Sequence, residues 1–433
     1  MIAEIRLWNR TIGAASSIPG DPITSFQYDP DFIKSGIEVS PLHLPLRDEP
    51  YRFPQLARET FHGLPGLLAD ALPDRFGNAV IDAWLASEGH PTDNFNALER
   101  LCYTGNRGMG ALEFRPMQGP QARRSSTLDI DTLVNLATEV LTNRSELAGN
   151  LAETARTKAL NDILQVGTSA GGARAKAVIA WNLSTNEMRS GQIERGSGFE
   201  YWLLKFDGIA ATVERGLTDL QGYGAIEYAY NLMAIAAGIT MSPCRLFEER
   251  GRRHFMTRRF DRTASGEKLH MQTLGGLAHF DYNQANAHSY EQVFAVMEQL
   301  GLTAAEIEEQ FRRMLFNIVA RNQDDHVKNI AFLMDKAGRW ALSPAYDITY
   351  AYKPGNPWLN SHQLSLNGQR KTFTRADIRA IAKRTRLPRG RADTLLEEVT
   401  SAVQRWPEFA SEAIVHKHQI SAIGQTHRLE FVS

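Results

Sequence analysis

The run Asp324-Asp325-His326-Val327-Lys328-Asn329 sets a carboxylate and an amide five positions apart, and Asp347 follows Asn329 by eighteen. Phosphoryl transfer asks little covalent chemistry of a protein. It needs a carboxylate at the acceptor hydroxyl and oxygen ligands for a Mg²⁺ that bridges nucleotide phosphates. D-x₄-N is the spacing of a kinase catalytic loop, with Asp324 at the hydroxyl and Asn329 and Asp347 as metal ligands. The same hexapeptide also reads as an acidic loop at a helix end, because Asn and Asp are turn formers. Alone it does not decide.

Three other segments bear on the choice. Gly167-Thr168-Ser169-Ala170-Gly171-Gly172-Ala173-Arg174-Ala175-Lys176 is a loop of small residues. Its backbone N–H groups can approach phosphate oxygens closely, and Lys176 ends it with a point charge. It is neither a Walker A loop nor a GxGxxG, and alone it reads as a flexible connection. Lys205 lies in the apolar strand YWLLKF, where an ammonium must find a partner or snorkel to water. Glu227, 22 residues on in GAIEYAY, is the available partner on a helix, as in the lysine–glutamate pair of kinases. The strand HFMTRRFDR places Arg258, Arg259 and Phe260 where a segment connecting two lobes would hold an adenine by its backbone. The order of the segments outweighs each alone: small-residue loop, strand lysine, helix with Glu, connecting strand, D-x₄-N loop, late Asp.

The elements that must position these groups follow from pattern. IRLWNRTIGAA reads as a strand with a turn at Gly13, and ITSFQYDPDFI as a second strand. Residues 56–85 are helical but punctuated by Gly63, Pro65 and Pro73 into two or three short helices. Residues 118–129 read as a linker, followed by a helix over 129–142. Strands, a helix ended by Gly238 and a hairpin turning at Arg250-Gly251 then form a small β-rich lobe. Ile307, Phe311, Met314, Leu315, Ile318 and Val319 make one helical stripe leading into the hexapeptide. Two short strands around 336–338 and a helical C-terminal region close the chain. The reading is α+β in three parts: an N-terminal subdomain over 1–120, a nucleotide-binding lobe over 125–262 and a mainly helical lobe over 263–433.

Composition is that of an ordinary globular protein of 433 residues, 43% hydrophobic and 22% charged, which excludes a disordered tail or a fibre. A formal charge of −1 argues against bulk attraction to nucleic acid. The two cysteines, Cys102 and Cys244, supply no disulfide framework or zinc motif, and the N-terminus lacks the apolar run of a signal peptide. The expectation is a cytoplasmic protein with no membrane association.

With these residues in view, the chain resembles the HipA family, the serine/threonine kinase toxins of bacterial toxin–antitoxin modules. The resemblance rests on SAGGARAK at 169–176, Lys205, RFDR at 259–262, DDHVKN at 324–329 and SPAYDI at 343–348. It extends to LWNRT and GLPGLLADALPDRFGN in the N-terminal part. It implies a two-lobed protein-kinase-like fold using ATP and Mg²⁺. Asp324 would be the catalytic base, with Asn329 and Asp347 on the metal. Gly171, Gly172, Ala173, Arg174, Ala175 and Lys176 would form the phosphate loop, and Lys205 would hold the phosphates. His326, Val327, Lys328, Asn329, Tyr346 and Asp347 would line the phosphate side, and Arg258, Arg259 and Phe260 would hold the adenine. Ser169 falls at the family's autophosphorylated serine, where about −2 charge would repel the loop from phosphates. The implied substrate is a protein of translation, such as an aminoacyl-tRNA synthetase. The implied partner is a HipB-like helix-turn-helix antitoxin, with DNA reached only through that complex.

The sequence departs from ordinary protein kinases in two places. Asn322-Gln323 replace a His-Arg before Asp324, and no Gly follows Asp347-Ile348. Two other roles compete: a partner or corepressor of a DNA-binding antitoxin, and a small-molecule phosphotransferase. The first draws on residues 375–391, where seven Lys/Arg face a single acidic residue, although a solvated helix face explains that run as well.

Overall fold

A computed structural model describes residues 1–87, 89, 95–119, 128, 130–142, 174–191, 198–209, 222–263 and 265–431. The chain opens on an antiparallel sheet of β1 (Ile2–Leu7), β2 (Arg10–Ser16), β3 (Ser25–Tyr28) and β4 (Leu112–Arg115), ordered β3-β2-β1-β4. Alternation along β1 turns Ala3, Ile5 and Leu7 into a core with Phe26, Tyr28 and Phe114.

The turn expected at Gly13 lies elsewhere. Trp8 and Asn9, with φ of 50° and 65°, form the two-residue hairpin connection, whose left-handed pair matches the strand twist. Gly13 instead sits inside β2, where a Cβ would meet the Gln27 carbonyl at 2.2 Å; it permits close approach of β3. The second expected strand stops at Tyr28, because Asp29 accepts from the N–H groups of Asp31 and Phe32 and caps a single helical turn, Pro30–Ile33. The punctuated stretch forms three helices, Arg58–Phe61, Gly66–Ala69 and Arg75–Ser87.

The small lobe is an antiparallel five-stranded sheet, β6-β5-β7-β9-β8. Its strands are β5 (Lys176–Asn182), β6 (Glu187–Ser190), β7 (Glu200–Lys205), β8 (Cys244–Glu249) and β9 (Arg252–Arg258). Ile179, Trp202, Leu204 and Met256 share a core with Phe76, Val80 and Ile81 of the Arg75–Ser87 helix and with Leu133 and Val134 of the Ile130–Thr142 helix. The Tyr223–Ala236 helix, between β7 and β8, sends Ile226, Tyr230 and Met233 into the core of the large lobe. It therefore bridges the two lobes. Gly224 makes this docking possible, since a Cβ there would lie 2.2 Å from the Arg253 carbonyl.

The large lobe is mainly helical. The Ala304–Val319 helix is capped by Thr303 and Glu306, and its expected stripe is buried throughout, packed with Leu395, Val399 and Trp406 of the C-terminal helices. A three-stranded sheet of β10 (His270–Thr273), β12 (Ala331–Met334) and β13 (Trp340–Leu342) follows the order β10-β12-β13, and β11 (His288–Ser289) pairs in parallel with β14 (Leu364–Ser365). The expected α+β architecture of two lobes with an added N-terminal subdomain is the one found. Among the described residues, no helix is long and apolar enough to cross a membrane.

The N-terminal subdomain meets the large lobe at several points, among them Trp340 Nε1 donating to the Glu38 carbonyl at 3.2 Å and one tight crossing. Asp70 accepts from the Thr273 N–H (2.6 Å) and hydroxyl (2.7 Å), the Gly66 N–H donates to His279 Nε2 (3.0 Å), and His279 stacks on His43 at 4.2 Å. A Cβ on Gly66 would fall 2.0 Å from the Gly276 carbonyl. Overpacking of this kind costs about 1–3 kcal/mol. Gly66→Ala is expected to lose that much in urea unfolding, whereas Gly108→Ala, where a Cβ would meet only Thr104 Cγ2 at 3.8 Å, is expected to lose less.

Candidate active site

The register of the five-stranded sheet places Lys176 and Lys205 directly opposite each other on β5 and β7. Both are almost fully buried. Like charges in this position repel, and a buried ammonium requires a counter-charge. Each lysine has its own. Lys205 Nζ donates to Glu227 Oε1 at 2.5 Å and to Asp347 Oδ1 from the large lobe. Lys176 Nζ lies 3.4 Å from Asp74 Oδ2, a carboxylate that also caps the Arg75–Ser87 helix by accepting from the Gly77 N–H.

The electrostatic consequences differ. Burial alone would lower the Lys205 pKa, but the carboxylates of Asp347 and Glu227 prevail and raise it. Burial would push Asp347 up, yet Lys205 and Lys176 hold its carboxyl at about 2. In the second pair burial prevails on both sides, lowering Lys176 and raising Asp74. Lys205 is thus a firmly fixed cation, and Lys176 a less compensated one.

The loop after the Ala304–Val319 helix folds back on itself. The His326 N–H donates to the Asp324 carbonyl, the Asn329 N–H to the His326 carbonyl (both 2.9 Å), and Asn329 Nδ2 to the Asp324 carbonyl at 2.8 Å. His326 Nε2 stands 3.9 Å from Asp324 Oδ1. The Tyr346 hydroxyl donates to the Lys328 carbonyl at 2.5 Å, which fastens the Asp347 segment to this loop. Asp347 has φ of +52°, a left-handed conformation that non-glycine residues hold only where surroundings impose it. Lys328 Nζ lies over the Tyr282 ring at 4.5 Å, and the Val327 side chain belongs to the large-lobe core.

The remaining predicted residues are placed less uniformly. Arg174 lies 3.8 Å from Glu227 Oε2 and 4.2 Å above the Tyr223 ring, and Ala175 is buried with its carbonyl accepting from the Phe206 N–H. Ser169, Gly171, Gly172 and Ala173 lie outside the described residues. The N–H groups of Arg258 and Arg259 are committed to the carbonyls of Pro243 and Tyr201. Arg259 is a buried buckle: its guanidinium pairs with Asp261, and Asp261 also accepts from the Gly110 N–H at 2.7 Å, tying the N-terminal Gly-rich turn to the lobe junction. The Phe260 ring lies 5.5 Å from that of Tyr346, beside Asp347.

The sequence reading missed Asp74, which faces Lys176 from a hundred positions away, and Asp325, which it names only as the neighbour of Asp324. Asp74 stands in the LPDRFGN segment quoted for the N-terminal resemblance, but nothing local marks a helix cap as a counter-ion.

As a metal site, Asn329 and Asp347 offer hard oxygens. Because Asn329 Nδ2 is engaged by Asp324, its Oδ1 is the face left for a ligand. An amide oxygen and one carboxylate, completed by phosphates and water, suit Mg²⁺.

Comparison with known proteins gives the family. A HipA-like C-terminal domain matches residues 168–406, and a HipA N-terminal domain matches 3–115. Among solved structures, HipA of Shewanella oneidensis MR-1, in complex with HipB and operator DNA, superposes with a TM-score of 0.64 at 15% identity, covering 98% of this chain and 94% of that one. The Helicobacter pylori proinflammatory kinase CtkA covers 53% of this chain and 88% of its own at 11% identity, with a TM-score of 0.33, too low to bear on the fold. No curated protein matches the sequence.

Removing one member of a buried ion pair costs about 3–5 kcal/mol. Lys205→Met is expected near the lower end, because Arg174 stays beside Glu227. The folded pKa of Asp347 lies below its unfolded value, so its pairing stabilises the wild type above about pH 4 and fades as pH falls toward 2. Without Lys205, burial still pushes the Asp347 carboxyl up and only Lys176 and His326 are left to oppose it. The stability deficit of the variant in urea is therefore expected to be greatest near pH 7 and to shrink at pH 5.

Proposed function

This chain belongs to the HipA family, and from that premise we propose that it is an ATP- and Mg²⁺-dependent serine/threonine protein kinase acting as a HipA-type toxin. The observation that carries the reading is the Lys205 ammonium held between Glu227 and Asp347, with the Asp324–Asn329 loop fastened to the same segment through Tyr346.

In this reading Asp324 accepts the proton of the acceptor hydroxyl as its oxygen attacks the γ-phosphorus and ADP leaves. Asn329 pins the backbone of Asp324 and turns its own oxygen, with the Asp347 carboxylate, toward the metal position. Bound Mg²⁺ neutralises charge on the phosphates. Lys205 is held ionised by its two carboxylates and serves as a fixed cation for the α- and β-phosphates. Lys176 is poorly compensated by Asp74, and a triphosphate would favour its charged form. The adenine would meet the carbonyls of Arg258 and Arg259 and the backbone of Phe260, beside the Phe260 and Tyr346 rings. His326 to Asn329 and Tyr346 line the phosphate side, with Gly171 to Lys176 as the covering loop. Self-phosphorylation of Ser169 would expel that loop by charge repulsion.

The three-part division at 1–120, 125–262 and 263–433 belongs to the same proposal, with substrate binding expected on the large lobe. The substrate class is a protein of translation, for which an aminoacyl-tRNA synthetase is the first to test. By analogy with the Shewanella complex, the partner is a HipB-like antitoxin that brings the chain to DNA.

One observation supports a DNA-facing role alongside catalysis. Within 375–391, Arg375 and Arg379 pair with Asp393, and Arg391 pairs with Glu308 and Glu398. Lys383, Arg384, Arg386 and Arg389 are exposed at the turn between the Arg375–Arg384 and Arg391–Gln404 helices. Replacing these four with Gln in an antitoxin complex is expected to flatten the salt dependence of DNA binding, with log Kd against log salt changing by up to about 3–4 in slope.

The test of catalysis is incubation with radiolabelled ATP and Mg²⁺. Wild type is expected to label itself, Asp324→Ala to lose about 10²–10⁴ in rate, and Ser169→Ala to lose the label while still labelling an added protein substrate. Label on an added metabolite alone would assign a small-molecule phosphotransferase. No label, with DNA retention beside an antitoxin, would assign the corepressor role.

A further inference from the structure

Asp325 adjoins the proposed base in sequence, yet its carboxylate is buried and points into the large lobe. Both oxygens are engaged. Oδ2 accepts from the Tyr290 hydroxyl (2.6 Å) and from His362 Nδ1 (2.9 Å), and Oδ1 accepts from the Gln363 N–H (2.8 Å). The other ring nitrogen of His362 meets Arg428 Nη1 at 2.9 Å. A guanidinium only donates, so His362 Nε2 must accept and Nδ1 must carry the proton given to Asp325. Arg428 therefore sets the tautomer through which His362 holds Asp325.

Arg428 makes a second contact on the far side of the base. With the Gln323 amide oriented to satisfy both of its ends, its oxygen accepts from Arg428 Nη2 at 3.0 Å and its nitrogen donates to the Leu359 carbonyl at 2.8 Å. Gln323 and Asp325 flank Asp324, so one guanidinium restrains the backbone on both sides of it. The anchor of that guanidinium is the helix leading into the loop. Arg428 Nη1 donates to the Ile318 carbonyl and the Arg428 N–H to the Val319 carbonyl, both at 2.8 Å. These carbonyls end the Ala304–Val319 helix and have no partner within it. Nη2 also donates to the Lys371 carbonyl at 3.1 Å, and the guanidinium lies 5.3 Å from the centre of the Phe373 ring.

We infer that Arg428, near the end of the described chain, acts with His362 and Asp325 as a positioning residue for phosphoryl transfer, clamping the segment that carries Asp324. The inference rests on the kinase reading above and deepens it. None of the three touches the proposed nucleotide groups, so the clamp should govern the chemical step and leave nucleotide binding alone. A displacement of about 1 Å at a reacting group costs on the order of 10²-fold in rate.

The test uses the full chain with Arg428→Ala, Arg428→Lys and, should the first fail to fold, Asp325→Asn. Amide hydrogen exchange over residues 320–330 is read alongside kcat and KM for ATP. The expected result is exchange roughly tenfold faster in the loop, with the β5–β9 sheet and the Ala304–Val319 core unchanged. The rate kcat should fall about 100-fold in Arg428→Ala, with KM for ATP within about twofold of wild type. Arg428→Lys should lie between, because an ammonium reaches a helix carbonyl but cannot span His362 and Gln323 together. Unchanged loop exchange overturns the proposal, as does faster exchange with unchanged kcat. Loss of kcat in proportion to loss of folded protein also overturns it. A wild type that transfers no phosphate overturns the kinase reading itself, and the exchange result alone then decides whether the clamp exists.

Discussion

The Lys205 ammonium is where the sheet, the bridging helix and the large lobe meet. It is buried and opposite a second buried lysine, so the fold around it must supply negative charge from elsewhere. Glu227 comes from the Tyr223–Ala236 helix, which reaches β9 because Gly224 carries no side chain. Asp347 comes from the large lobe in a left-handed backbone conformation. Neither carboxylate is local to Lys205, and each can arrive only when its own element is docked. The pair of contacts thus makes relative lobe placement a condition of charge neutralisation.

That constraint propagates into the Asp324–Asn329 loop. Asp347 is tied to it through Tyr346 and the Lys328 carbonyl, and Asn329 ties Lys328's neighbour back to Asp324. The loop is held on one side through the Asp347 segment, which Lys205 grips, and on the core side by Asp325, His362 and Arg428. The two restraints differ in kind. The first is charge against charge, one ammonium between carboxylates carried by two distant elements. The second is a buried, fully hydrogen-bonded network with nothing to exchange, suited to fixing geometry.

What could be read from the sequence follows the range of the interaction. The helical stripe from Ile307 to Val319, the hairpin at Arg250-Gly251 and the partition of residues 56–85 into short helices are local patterns, and the structure has them. Glu227 is legible as the candidate partner of Lys205 because it stands in the helix that follows the strand lysine, the order of the kinase pair. The Gly13 turn was misplaced because Trp8 and Asn9 carry no glycine signal, and Gly13 serves strand approach instead. Asp74, His362 and Arg428 were invisible for a different reason. Their partners lie 102, 37 and 66 positions away or more, and no periodicity encodes such distances.

The same reasoning bears on the role of the N-terminal subdomain. Phe76, Val80 and Ile81 fill the core of the five-stranded sheet, and Asp74, one turn earlier, faces Lys176. Were that helix absent, the sheet would lose apolar cover on one face, and the Lys176 ammonium would lose the carboxylate 3.4 Å from it. Burial already disfavours the charged form of Lys176, and the carboxylates of Asp74 and Asp347 oppose that effect. The electrostatic surroundings of this β5 lysine therefore depend in part on a residue about a hundred positions away. The subdomain accordingly supplies part of the charge balance around the opposed Lys176 and Lys205 ammonium groups.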